Sequence, residues 1–194
     1  MSNSLLRLTK IPSTFGLQDL TKEGALGEAL QRENAKKFVS RMLKLGVVKP
    51  AGKRAGVFYN LVRDPSADQN ERLVAVGRLF PEAIVIGINV LHAYGWVTQI
   101  PHTFDVAISS SRRTVPEVSG VTLRRRNAKW FAQQQEADAI LRTGESPFYL
   151  DSLTPRAALD DIRKSSDIWQ PDDDDLSIPD DEEEHIERIY RPRP

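Results

Sequence analysis

Between Arg32 and Arg54 the chain concentrates side chains suited to holding a polyanion: Arg32, Asn34, Lys36, Lys37, Ser40, Arg41 and Lys44, then Lys49, Lys53 and Arg54. Lysine and arginine bind phosphate by displacing its counterions, and arginine, asparagine and serine can also hydrogen-bond the edges of bases. Lys37, Arg41 and Lys44 recur at helical spacing, while Phe38, Met42 and Leu45 keep the same spacing one residue later. A helix with these two stripes buries one and presents the other to a double-stranded groove. The Arg41 guanidinium can form two parallel hydrogen bonds to one base and is expected at a base edge; the lysines are expected on phosphates. A solvated polar face on a helix that binds protein would carry the same pattern.

The neighbouring sequence supplies a scaffold for this helix. GALGEAL, from Gly24 to Leu30, reads as a short helix, QREN as a turn, and NAKKFVSRMLKLG as a stronger helix. Asn34 is placed to cap its start and Gly46 to take the left-handed position after its end. Pro50, Gly52 and Gly56 then divide VVKPAGKRAGVFYNL into two short β-rich runs, the pattern of a hairpin. Two short helices and a basic hairpin make a winged helix-turn-helix, expected over residues 1–65. Arg63–Gln69 is polar, contains a proline and reads as a linker. A small mixed α/β domain is expected over 66–165. Its helices fall at Asn70–Phe80, Glu82–Tyr94, Trp130–Leu141 and Thr154–Lys164, the last with Thr154 as cap and Pro155 in its first turn. Its strands fall at Thr103–Ile108 and Val121–Arg125, with a short extended piece at Pro147–Asp151. The fold class is therefore α+β, ending in an acidic tail over 166–194, most of which is expected to be disordered because it is too polar to offset the cost of ordering it.

The formal net charge of zero conceals a gradient along the chain. Met1–Arg63 has 12 Lys and Arg against 4 Asp and Glu, a net of +8, whereas Asp167–Pro194 has 3 against 11, a net of −8. A basic end for a polyanion and an acidic end that competes with it are the implied arrangement. The sequence contains no cysteine, which excludes disulfides and thiolate metal sites. Neither a membrane span nor a signal peptide is expected, and a cytoplasmic location follows.

A second basic cluster comprises Arg112, Arg113, Arg124, Arg125, Arg126 and Lys129. It could extend a DNA footprint or meet an acidic partner; it could equally be a solvated rim protecting an edge strand. Catalytic residues, metal ligands and cofactor sites are not expected. His92, His102 and His185 lack metal-ligand spacing, there is no phosphate-binding glycine loop, and Asp160 and Asp161 read as surface residues. A metal-dependent hydrolase using Asp105 or Asp151 is a minor alternative. Trp96, Trp130 and Trp169 are read as core anchors in preference to base-stacking platforms.

The winged helix ending in GVFYNL, the helical pair with GINVLHAYGWVTQIPHTFDVAIS, the strand GVTLRRR and LTPRAALDDI together resemble, over about Gly24–Ile162, the AbiEi-type antitoxins of type IV toxin-antitoxin systems. The resemblance implies a transcriptional autorepressor whose winged helix binds inverted repeats in promoter DNA. It further implies a second domain that opposes a nucleotidyltransferase-like toxin without forming a stable complex with it. It transfers no catalytic residue and leaves the oligomeric state open. The rival reading is a non-enzymatic protein-interaction adaptor whose acidic tail mimics nucleic acid.

Overall fold

The computed structural model describes residues 3–21, 29–111 and 113–179 of the chain. The fold is mixed α+β with two sheets, one of three strands and one of five. The chain divides into one unit formed by Met1–Glu82 with Ser110–Val121, and another formed by Ala83–Ser109 with Thr122–Pro194. No helix among the described residues is long and apolar enough to cross a membrane.

The first unit runs α1 (Asn3–Leu8), β1 (Thr14–Gly16), α2 (Leu17–Thr21), α3 (Arg32–Lys44), β2 (Val48–Pro50), β3 (Val57–Asn60), α4 (Ala67–Asn70) and α5 (Arg72–Leu79). β3 lies between β1 and β2 and is antiparallel to both, with Phe15 opposite Phe58 and Lys49 opposite Tyr59. The expected hairpin therefore forms. The helix expected at Gly24–Leu30 lies outside the described residues except for its end, where Leu30 is not helical.

α3 starts earlier than Asn34. The Ala35 N–H bonds to the Gln31 carbonyl at 2.9 Å, and Gln31 occupies the cap position without a side-chain bond. At its other end Gly46 is left-handed, with φ 68°. The Gly46 N–H bonds to Leu43 O and the Val47 N–H to Met42 O, the paired arrangement that closes a helix on glycine. Ala35, Phe38, Val39 and Met42 join Leu8, Ile11, Phe15, Leu20 and Val48 in the core. Leu45, the capping residue after Lys44, keeps helical dihedrals and bonds to Arg41 O at 3.1 Å, yet is 61% exposed, beyond the edge of the buried stripe.

Asn60 closes this unit. Fully buried at the end of β3, it donates from Nδ2 to Leu8 O at 2.8 Å and Ile11 O at 3.1 Å, and its own N–H bonds to Ser13 O at 2.7 Å. The turn between α1 and β1 thereby obtains partners for carbonyls buried away from water.

The boundary expected near residue 65 lies elsewhere. Ala67 is fully buried, and Glu71 accepts hydrogen bonds from the Ser13 and Thr14 hydroxyls, so α4 and α5 belong to the first unit. The segment Ser110–Val121 also belongs to it. Its Glu117 and Ser119 N–H groups bond to Lys53 O and Ala51 O along the hairpin, at 3.0 and 2.9 Å. A Cβ at Gly52 would stand 1.9 Å from Glu117 O, so this approach requires glycine.

The other unit contains β4 (Ile84–Ile86), α6 (Ile88–Ala93), β5 (Phe104–Ile108), β6 (Val121–Arg125, its first residue assigned to the first unit), α7 (Ala128–Glu136), β7 (Ile140–Leu141), β8 (Asp151–Leu153) and α8 (Pro155–Lys164). The strand order is β6-β5-β4-β8-β7, with β4 parallel to β8 and antiparallel to β5. The helix expected over Glu82–Tyr94 is thus a central strand followed by a six-residue helix. Ile84–Ile86 is buried on both faces and reads as an uninterrupted apolar run, which does not by itself separate strand from buried helix. Gly87, at φ 72°, makes the break. The helix expected over Trp130–Leu141 stops at Glu136; Asp138 turns the chain at φ 50°, and Ile140 pairs with Leu153. The extended piece expected at Pro147–Asp151 lies further along, at Asp151–Leu153. α8 forms as expected, with Thr154 Oγ1 accepting from the Ala157 N–H.

Replacing Asn60 with leucine removes the donor while nearly keeping its shape, and orphans the Leu8 and Ile11 carbonyls. We expect a loss of about 1–3 kcal/mol in urea unfolding.

Candidate nucleic-acid interface

α3 has a polar side because its sequence repeats at 3.6 residues. At about 100° per residue, Lys37, Ser40, Arg41 and Lys44 fall within an arc of about 100° that points away from the buried stripe. All four are exposed, as are Arg32, Asn34 and Lys36. Glu33 shares this side but is occupied by Lys36 at 2.7 Å, whose hydrogen bond holds the Glu33 carboxyl below its ordinary range. Lys37, Arg41 and Lys44 have no ion-pair partner among the described residues.

The hairpin contributes unevenly. Lys53 and Arg54 are exposed in its turn, Arg54 in the left-handed region with φ 59° and Lys53 at 3.9 Å from the exposed Glu117. Lys49 pairs at 2.8 Å with Asp68 of α4, and strand alternation sets it opposite Val48, which faces α3. Arg32 lines a cleft of about 490 Å³ together with Ala55, Gly56 and Arg78, so the start of α3 and the base of the hairpin border one concavity. Arg78 is held there by Asp19 at 2.7 Å.

The second basic cluster is divided between the two units. Arg112 lies outside the described residues, and Arg113 is exposed in the first unit. In the other unit Arg125 and Lys129 are exposed, but Arg124 binds Asp105 at 2.8 Å through Nε. Arg126 bonds both Asp167 oxygens at 3.0 and 3.1 Å and lies 5.9 Å from the Trp130 ring centre. These two arginines hold the unit together internally.

The carboxylates weighed for catalysis are likewise engaged. Asp151 accepts from Arg142 and from the Thr143 N–H and hydroxyl, all at 2.8–2.9 Å; burial opposes ionisation, but these bonds keep its carboxyl below the ordinary value. Asp161 is buried rather than on the surface, because its Oδ1 accepts from Trp130 Nε1 at 2.8 Å. His92 is half-buried and His102 exposed, while His185 lies outside the described residues. No group of acidic or histidine side chains suited to a metal occurs among the described residues.

The start of the acidic tail, expected to be disordered over most of its length, is docked as far as it is described. Ile168 is buried, Gln170 donates to Ile162 O at 3.0 Å, Arg163 meets Asp173 at 3.2 Å, and the Ser177 N–H bonds to Trp96 O at 2.8 Å. A few apolar residues and paired aspartates suffice to dock this strap; residues 180–194 lie outside those described. Trp169, expected in the core, is 51% exposed, while Trp96 is buried. Sequence spacing contains no signal for that difference.

Asp167 is held below its ordinary value of 3.8, first by the Arg126 hydrogen bond and then, against some burial, by the charges of Arg126 and Arg124. A lowered carboxylate pKa stabilises docking above the ordinary value, and this contribution fades as pH falls through the lowered one. We expect strap docking, followed by Trp169 emission, to be unchanged from pH 7 to 5 and to weaken only under more acid conditions. Asp167→Asn should remove that acid-dependent component.

No family model matches the chain, and no curated protein does. Among solved structures it is similar to the Rv2827c protein of Mycobacterium tuberculosis, with a TM-score of 0.50 and 16% identity over 81% of this chain. The match spans 58% of that protein's length, and at this identity it is a likeness of fold alone.

Proposed function

We propose that the first unit is a winged helix-turn-helix that binds double-stranded DNA, with α3 in the major groove and the β2–β3 hairpin against flanking phosphates. The observation that carries this reading is the order α1-β1-α2-α3-β2-β3 with β3 central in its sheet, joined to an α3 whose outward face holds Lys37, Ser40, Arg41 and Lys44. Arg32, Asn34, Lys36, Lys53 and Arg54 complete the proposed contact set. Lys49 is its weakest member because Asp68 already occupies it.

The resemblance to AbiEi-type antitoxins supplies the biological setting: a cytoplasmic autorepressor acting on inverted repeats and opposing a nucleotidyltransferase-like toxin. The protein works by binding, not by catalysis. That reading is supported by Asp105 and Asp151, the carboxylates with the best claim to hydrolysis, each being tied to an arginine.

Binding to the chain's own upstream region, against a scrambled duplex and across a salt series, tests the proposal. Arg41→Ala should weaken the specific duplex about 5- to 150-fold and narrow its preference over the scrambled one. Lys37→Ala and Lys44→Ala should weaken both duplexes alike and reduce the salt slope by about one each. Lys49→Ala should change little. Unaltered affinity in the first three variants would overturn the reading.

A further inference from the structure

Trp169 is bracketed by anchored neighbours. Asp167 is bound by Arg126, Ile168 is buried and Gln170 is hydrogen-bonded to the end of α8, yet the indole between them remains half exposed. An exposed indole on an anchored backbone offers a flat apolar face on which another planar group can stack at little ordering cost.

The indole borders a cleft of about 500 Å³, within the range of small-molecule sites at about 300–1,000 Å³. Ile100, 75% exposed, and Pro101 add apolar surface to it, and Asp105 and Arg124 contribute polar groups. The polar groups are held in place. Asn89, itself buried, donates from Nδ2 to Thr103 O at 3.1 Å and accepts the Asp105 N–H at 2.9 Å, fixing the loop and the strand that carries the carboxylate. Arg124 Nε binds one carboxylate oxygen of Asp105 at 2.8 Å, which sets a guanidinium donor beside a carboxylate acceptor.

An aromatic plate, aliphatic surface and an adjacent donor and acceptor complement a planar heterocycle with hydrogen-bonding groups on its edge. We propose that this cleft binds a nucleobase, carried either by a free nucleoside or nucleotide or by an unpaired position in a single strand. Stacking on Trp169 supplies affinity, and the Asp105–Arg124 pair reads the polar edge.

The full chain is titrated with adenosine, guanosine, uridine and cytidine, with purine riboside as a base lacking exocyclic polar groups, and with a short oligothymidylate; tryptophan quenching and calorimetry report binding. The nucleosides are uncharged, so the basic helix does not draw them in, and failure here would leave the DNA-binding proposal standing. Saturable binding of nucleosides, several-fold weaker for purine riboside, is expected. Trp169→Ala should weaken it about tenfold or more, and Trp169→Phe should largely restore it. Nucleoside binding without oligothymidylate binding at the cleft would assign a free nucleotide as the source. Trp169-dependent binding of the oligonucleotide alone would assign a single strand. The proposal is overturned if neither probe binds in a Trp169-dependent manner, or if purine riboside binds as well as the polar bases.

Discussion

The buried amide of Asn60 is the contact on which the first unit depends. A three-stranded sheet and a helix of thirteen residues form a small core, and the turn entering β1 runs through it with carbonyls that water cannot reach. Leaving two such groups unpaired would cancel much of the apolar burial that Phe15, Phe38 and Met42 provide. Asn60 instead links the last strand to the first turn, and Glu71, between α4 and α5, adds a tie of another kind by accepting from the Ser13 and Thr14 hydroxyls. α3 is held against the sheet by a framework closed in this way, and its outer face is released from any structural duty. Arginine and lysine can accumulate there at little cost.

The described part of the acidic end pairs locally. Asp167 and Asp173 pair with Arg126 and Arg163 within one unit, so the first part of the acidic strap neutralises arginines of its own sheet and helix. Lys37, Arg41 and Lys44 of α3 have no ion-pair partner among the described residues, and such exposed positive charge is the form that drives counterion release.

Local signals were legible in the sequence where one physical cause dominated. Periodicity located α3, glycine with positive φ ended it at Gly46, and Thr154-Pro155 opened α8. Alternation located β5, and proline and glycine located the hairpin. The exposed face of α3 was equally readable, because burial and charge alternate there with one period. The run Ala83–Ile86 was not, since a strand buried on both faces loses the alternation that distinguishes it from a buried helix. Leu45 and Trp169 were misplaced because hydrophobicity does not by itself decide burial. The extent of the first unit was hidden for another reason: its last piece returns after an excursion of 27 residues, Ala83–Ser109, and no local pattern announces a return.

That return has a consequence for how the molecule is made. The chain passes between the two units at 82/83, 109/110 and 121/122, and the hairpin carbonyls of Ala51 and Lys53 accept from the Ser119 and Glu117 N–H groups. As the polypeptide emerges from the ribosome, the N-terminal unit has its helices and sheet long before it has the segment that returns to it. Completion waits until about residue 121 is synthesised, by which time the first strands of the other unit have also appeared. The two units therefore mature together, and dissecting the protein into separately expressed halves at any single position leaves one of them without part of its own structure.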